Sequence, residues 1–232
     1  QIDNGSLNTY NWTGFLPSNT SVDVVLNMNA NLSVAKHEFR AFTTLPNGTI
    51  DNNLNNDETV NEFLSLETQN IPFTDAFNNP NISNDWLVIN PDNNITWQTV
   101  NVNGCTTNGN RSAYMNCRNY AGTDTDMGLT DFMYLKMDLT NYADANLNFS
   151  VSYVPYSYSI DDRLKAVIST DCGNTFQDIY DKAGSDLMTG NSPQTTAWSP
   201  FSCAFWQTES INLSEFAFNE NPQFFDHLCF ES

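Results

Sequence analysis

Histidine and cysteine, the residue types most used to bind zinc or to activate a nucleophile, are scarce in this sequence, which has two histidines and five cysteines among 232 residues. His37-Glu38 begins like the zinc motif His-Glu-x-x-His. The motif fails at Ala41, where its second histidine would stand, and the segment reads more like a strand. No Gly-x-Ser-x-Gly elbow supplies a serine nucleophile. Paired carboxylates of the glycosidase kind stay an open alternative, since acids are plentiful, but we expect no catalytic centre.

The cysteines are better suited to disulfides than to metal. They are Cys105, Cys117, Cys172, Cys203 and Cys229. None has Cys-x-x-Cys spacing, so a structural zinc site is not expected. Cys105 and Cys117 bracket a loop rich in Asn and Gly and could close it as a disulfide, and Cys172 could pair with Cys203. The alternative is that all five are reduced, and export from the cell would favour the disulfides.

One acidic loop is a candidate calcium site. Asp124 and Asp126 stand at alternate positions before a glycine, and Asp131 follows. Calcium prefers such oxygen-rich loops, although this loop lacks the third acid and distal glutamate of an EF-hand. Other candidate ligands are Asp92, Asp161 and Asp162. We therefore name Asp124, Asp126 and Asp131 as ligands of a structural calcium ion.

Aromatic side chains provide the candidate binding surface. Tyr153, Tyr156 and Tyr158 flank a proline in a predicted loop, and tyrosine-rich loops suit recognition. An edge strand carrying tyrosines is the alternative. Four of the five tryptophans lie in the second part of the chain: Trp86, Trp97, Trp198 and Trp206. We expect them mainly in the core, where large aromatics dominate burial, whereas exposed ones would stack on sugar rings.

The charge of the chain restricts its partners. Acidic residues number 27 against 8 basic ones, a net charge of −19. Such a surface repels nucleic acid and anionic membranes, which leaves cations, neutral glycans and basic proteins. Solubility of an exported protein would explain the charge equally well. No apolar run approaches the ~20 residues of a membrane-spanning helix, so no membrane insertion is expected.

Alternation of apolar and polar residues predicts an all-β protein. It is clearest in Val22–Met28, Phe132–Leu139, Leu147–Tyr153 and Leu164–Ile168. Each segment has one apolar face, and turn residues separate the segments, which is typical of β-sandwiches. Helical periodicity is nearly absent.

Two domains are predicted, residues 1–70 and 71–232. The first has few strands and is short for an immunoglobulin-like sandwich of ~100 residues. Its predicted strands are Asn11–Leu16, Val22–Met28, Lys36–Thr44 and Val60–Leu66. We therefore expect a partial immunoglobulin-like β-sandwich whose opening strands, and any export signal, lie upstream of Gln1.

The second domain resembles a known family along most of its length. The most specific match is the segment Asp162–Phe176, in which Ser169-Thr170-Asp171-Cys172-Gly173 follows a predicted strand. Further matching segments are Pro72–Phe77, Asp85-Trp86, Ile95–Trp97, Ser112–Tyr114, Trp198–Pro200 and Trp206–Ser214. They resemble the choice-of-anchor J type domain, a MAM-like jelly-roll module of exported bacterial proteins. The resemblance implies a jelly-roll (MAM-like or galactose-binding-like) β-sandwich, and modules of this kind often carry a structural calcium.

The first domain resembles the adhesion-related immunoglobulin-like repeats of such proteins, through Tyr10–Gly14 and Pro46-Asn47-Gly48. The resemblance implies a secreted or cell-surface adhesion segment that binds a glycan or an extracellular protein. The alternative is the C-terminal accessory part of a secreted pappalysin-like zinc metallopeptidase, followed by a type IX secretion sorting domain. The chain departs from the family in residues 219–232, where the expected closing strand cannot be aligned.

Overall fold

The computed structural model describes residues 1–26, 31–105, 109–119, 130–159, 162–171 and 173–217, together with the backbone of the strand Asp226–Glu231. These residues form an almost entirely β structure. The chain divides into two compact units, Gln1–Ser65 and Leu66–Ser232. The predicted all-β class is therefore confirmed, and each unit is described by itself.

The first unit is built on one antiparallel pair of strands. Strand β1 (Ala35–Phe42) pairs with β2 (Glu58–Ser65) along their whole lengths. The chain start adds to the free edge of β1, because Ile2 bridges to Phe39. Among the described residues this unit has no second sheet facing the first, so the immunoglobulin-like assignment stays a prediction.

A six-stranded sheet forms one layer of the second unit. Its strands are β3 (Thr68–Asn70), β4 (Leu87–Ile89), β7 (Phe132–Asp138), β9 (Arg163–Ser169), β10 (Gln177–Ala183) and β12 (Asp226–Glu231). Strand β7 pairs with β12 on one edge. Its other edge is shared, with β4 antiparallel along one end and β3 parallel along the other.

A smaller sheet faces this layer. Strand β8 (Asn146–Val151) pairs with β11 (Gln207–Asn212), while β5 (Gln98–Val100) and β6 (Ser112–Tyr114) form a separate pair. Phe149 of β8 meets Tyr180 of β10 edge to face, with ring centroids 5.1 Å apart. Met133 and Leu135 of β7 are buried in the same cluster. Apolar side chains of two sheets thus share one interior, as the sandwich prediction requires.

The strands that alternation predicts in the second unit are confirmed, but the opening strand that the resemblance implies at Pro72–Phe77 is not formed. Two predicted strands of the first unit are wrong. Residues 11–16 form no strand, and Val22–Leu26 lie in an irregular, exposed segment; the rest of that predicted strand, residues 27–28, lies outside the described residues. Val25 is 81% exposed. Alternation indicates only that one face of a segment could be buried. A strand also needs a neighbouring strand that hydrogen-bonds its backbone N–H and C=O groups.

The boundary and the chain end also differ from expectation. The division falls before Leu66 rather than after Asn70, because Thr68–Asn70 pairs with β7. Strand β12, in the segment that could not be aligned, lies between β7 and β9 and is antiparallel to both. The closing strand thus occupies the interior of the large sheet.

Candidate binding cavity

A cavity of about 580 Å³ lies within the second unit. Six aromatic side chains that carry a polar atom line it: Trp97, Tyr114, Tyr153, Tyr156, Trp198 and Trp206. Polar side chains stand between them, including Ser150, Ser152, Asn119, Asp162, Gln194 and Arg118. The size is within the ~300–1,000 Å³ typical of small-ligand pockets, and an apolar wall with a few polar groups is their usual composition.

The floor of the cavity belongs to the core of the sandwich. Met133, Val154 and Leu187 are buried there. The rim is exposed and is formed by Arg118, Asn119, Tyr156, Gln194 and Thr196. The cavity therefore has an apolar base fixed by the fold and a polar mouth open to solvent.

Backbone contacts hold the tyrosine segment after β8 in place. The Tyr153 amide donates to Thr189 Oγ1 at 3.0 Å, and the Thr189 amide donates to the Tyr153 carbonyl at 2.9 Å. The Gln194 amide donates to the Pro155 carbonyl at 3.0 Å. The segment after β8 is thus fastened to residues 189–194, and both sides of this attachment line the cavity.

The three predicted tyrosines have different roles. Tyr153 donates its hydroxyl to Asp162 Oδ2 at 2.8 Å, and both residues line the cavity. Tyr156 is 51% exposed at the rim, with the Arg118 guanidinium 5.3 Å from its ring centroid. Tyr158 is 75% exposed and does not line the cavity. The structure therefore brings together two of the three predicted binding residues.

Trp198 forms a wall that is fixed on two sides. Its indole Nε1 donates to Ser152 Oγ at 2.9 Å. Its ring meets Phe205 edge to face, with centroids 5.2 Å apart. Phe205 ends the 3₁₀ turn Cys203–Phe205, whose first residue is bonded to Cys105 by a disulfide. A covalent link thus anchors the turn against which this wall packs.

The disulfide differs from both predicted pairs. Cys105 is bonded to Cys203, 98 residues away, with their Cα atoms 5.4 Å apart, and Cys117 is free. Cys172 lies outside the described residues. Pairing by nearness in sequence was wrong because the fold brings the loop after β5 beside the turn before β11.

Burial governs the titration of two groups in the cavity. It raises the pKa of the Cys117 thiol to about 12, with the charge of Asp162 adding to the effect. It also raises the pKa of Tyr114. Because the thiolate is the reactive form of cysteine, Cys117 is a protonated, weak nucleophile at neutral pH.

The calcium site stays a prediction. Asp124 and Asp126 lie outside the described residues, whereas Asp131 is fully buried and its carbonyl accepts from Trp97 Nε1 at 3.2 Å. In the described part of the chain, no three His, Cys, Asp or Glu side chains gather as ligands of a metal ion. The described residues therefore do not form a calcium site by themselves.

Sequence reasoning missed part of the cavity. Trp86 is a core residue, as expected, with its Nε1 bonded to Asp75. Trp97, Trp198 and Trp206 line the cavity as well as packing against the fold. Nothing in the sequence marks Arg118 or Gln194 as a binding residue, since neither belongs to a motif. Only long-range contacts of the fold bring them to the same cavity.

Comparisons with known proteins add little to this geometry. No family model matches the chain, and no curated protein is significantly similar to it. One solved structure that matches is the K2 cleaved adhesin domain of Lys-gingipain. The identity is 13%, over 64% of this chain and 90% of that one, and the TM-score is 0.33. We draw no argument about fold or function from so low a score.

Within the described ranges, no helix has the length and apolar character needed to cross a membrane.

Proposed function

We propose that Leu66–Ser232 is a non-catalytic, carbohydrate-binding jelly-roll module of a secreted or cell-surface adhesion protein. The observation that carries the proposal is the composition of the cavity, in which aromatic rings alternate with hydroxyl, amide and carboxylate groups. Sugar rings present apolar C–H faces and a rim of hydroxyls, so they need both kinds of contact. The two facing sheets support the jelly-roll assignment.

The chemistry of the lining supports binding rather than catalysis. Cys117, the free thiol in the cavity, is held protonated by burial. The carboxylate of Asp162 accepts a hydrogen bond from Tyr153. These groups fit the recognition of hydroxyls, since Asp162 offers acceptor capacity and the rim amides of Asn119 and Gln194 offer both donors and acceptors.

The disulfide supports an extracellular setting. Disulfides persist in oxidising compartments and are rare in the cytosol. Cys105–Cys203 joins two loops of the second unit, and one of them contacts the cavity wall through Phe205. An export route that oxidises this pair would therefore also fix the binding wall.

Binding to a panel of glycosides tests the proposal, measured by calorimetry on the whole chain. Tyr156→Ala should weaken the binding of the tightest-binding glycoside about tenfold, which corresponds to ~1.4 kcal/mol of binding free energy. Tyr158→Ala is the matched control, because it removes an exposed tyrosine two residues away that does not line the cavity. Equal loss in both variants, or no binding to any glycoside, would contradict the proposal.

A further inference from the structure

Arg118 differs from the other basic residues of the chain. There are eight Lys and Arg residues in total. Five form ion pairs with carboxylates: Lys36, Arg40, Arg163, Lys165 and Lys182. Arg111 donates to Thr99 and Asn101, and Lys136 also has a partner. Among the described residues, Arg118 forms no ion pair and no hydrogen bond.

Such a cation is unexpected in this protein. With 27 acidic residues available, most basic side chains have found a carboxylate. Arg118 lies instead on the turn Cys117–Asn119 at the cavity mouth, with its guanidinium over the Tyr156 ring. A ring face attracts the cation but leaves its N–H groups free to donate. Among the described residues, nothing accepts a hydrogen bond from this guanidinium at the cavity mouth.

A guanidinium has a preferred partner. Its planar fork of N–H donors matches a carboxylate through two parallel hydrogen bonds. Asp162 lines the same cavity but makes no ion pair with Arg118, and it accepts from Tyr153 instead. The cavity thus has an acceptor group at Asp162 and a cationic group at Arg118, separate from each other.

We infer that the ligand is an acidic sugar, whose carboxylate pairs with Arg118 while its ring contacts the aromatic wall and its hydroxyls reach Asp162. This inference rests on the proposed carbohydrate-binding function and specifies its substrate class. The strongly negative chain would repel an acidic glycan elsewhere on its surface. The other guanidinium of the cavity lining, Arg163, is already paired with Asp181, so among the described residues Arg118 is the lining cation left to recognise the carboxylate. Raising the ionic strength should weaken the binding of an acidic ligand more than that of a neutral one, because salt screens the ion pair.

Matched pairs of glycosides test the inference. The probes are methyl glucuronide with methyl glucoside, and methyl galacturonide with methyl galactoside, each titrated by calorimetry into the whole chain. We expect one acidic member to bind at least about tenfold more tightly than its neutral partner, because only its carboxylate can form charge-assisted hydrogen bonds with the guanidinium. Arg118→Gln should abolish that preference, and Arg118→Lys should retain part of it.

A control variant separates local from overall charge. Arg40→Gln lowers the net charge by the same amount in the first unit, where Arg40 pairs with Glu58. It should leave the acidic preference unchanged. If neutral glycosides bind as tightly as acidic ones, or if Arg118→Gln has no effect, the acidic-sugar inference is overturned while the proposed function stands. If no glycoside of either kind binds, both fall.

Discussion

The first unit carries ion pairs and many apolar side chains at its surface, whereas the second unit is built around a buried apolar interior. In the first, the strand pair carries the ion pairs Arg40–Glu58 and Lys36–Glu62, and apolar side chains such as Val25 are exposed. In the second, Met133 and Leu135 are 2% exposed, between facing sheets.

The difference shows where a binding site can form. A cavity needs rigid walls, and a packed interior supplies them because its side chains are fixed by many contacts at once. The cavity floor at Met133 is part of that interior. Exposed ion pairs in a two-stranded sheet contribute little each and offer no such support.

Truncation of an apolar side chain should have very different effects in the two units. Leu135→Ala should lower the free energy of unfolding by about 4 kcal/mol, because it leaves a void in the core. Val25→Ala should change it by less than ~0.5 kcal/mol, since Val25 is 81% exposed. Urea denaturation followed by circular dichroism measures both. Comparable losses would show that residues 22–26 pack against a core.

Removal of the disulfide should destabilise the second unit slightly less than Leu135→Ala does. The double variant C105S/C203S removes a cross-link between residues 98 positions apart in the sequence. We expect it to lower the free energy of unfolding by ~3 kcal/mol. Cys117→Ser is the control, since it removes a thiol without breaking a cross-link. Thermal unfolding with and without reductant provides the measurement. A melting temperature of the wild type unaffected by full reduction would count against this pairing.

Two tryptophans of the cavity wall should respond differently to loss of the indole N–H. Trp198 Nε1 donates to Ser152, whereas Trp206 Nε1 is buried with no hydrogen-bond partner among the described residues. Trp198→Phe should therefore cost about 1 kcal/mol more than Trp206→Phe, because only the first breaks a bond. Chemical denaturation of both variants measures this difference. A larger loss of unfolding free energy for Trp206→Phe would contradict the prediction.

The smallest effect concerns pH and the first unit. His37 is buried and contacts Asp3 Oδ2 through Nδ1 at 2.5 Å and the Ser33 carbonyl through Nε2 at 2.9 Å. Both partners are acceptors, so the geometry favours the doubly protonated imidazole, which can donate from both nitrogens. The hydrogen bond to Asp3 raises the pKa of His37 above its ordinary 6.5, and the same bond lowers the pKa of Asp3 below 3.8.

These shifts define a window of stability. The contribution from His37 is full below pH 6.5 and is lost as pH rises through its raised pKa; that from Asp3 is present above pH 3.8 and is lost on acidification. Asp3→Asn keeps the positive φ of 48°, which asparagine tolerates. Its melting temperature should fall below the wild type's most at pH 5–6 and least at pH 9. A difference independent of pH would refute the ion pair.

The sequence predicted the second unit better than the first. Leu147–Tyr153 and Val22–Met28 show the same alternation. In the described part of the chain only the former has a neighbouring strand, because Asn146–Val151 pairs with Gln207–Asn212. Alternation records which residues a strand would bury, and neighbours are a property of the fold. For the same reason, the position of β12 inside the large sheet had no signal in the sequence.

Only part of the cavity could be predicted. Tyr153 and Tyr156 were found because a cluster of tyrosines beside a proline is a local pattern. Arg118 meets Tyr156 from 38 positions away, and the disulfide spans 98. Contacts of this range depend on how the sheets close, which composition and spacing do not encode.

Hydrogen–deuterium exchange with and without saturating glycoside, using the probe that binds most tightly, tests most directly whether the cavity is the binding site. Protection should appear in peptides covering residues 114–119, 150–156 and 194–198, which line the cavity from three separate parts of the chain. The first unit and β10 (Gln177–Ala183) should be unchanged. Protection confined to those two regions, with the cavity peptides unaffected at saturation, would contradict the account.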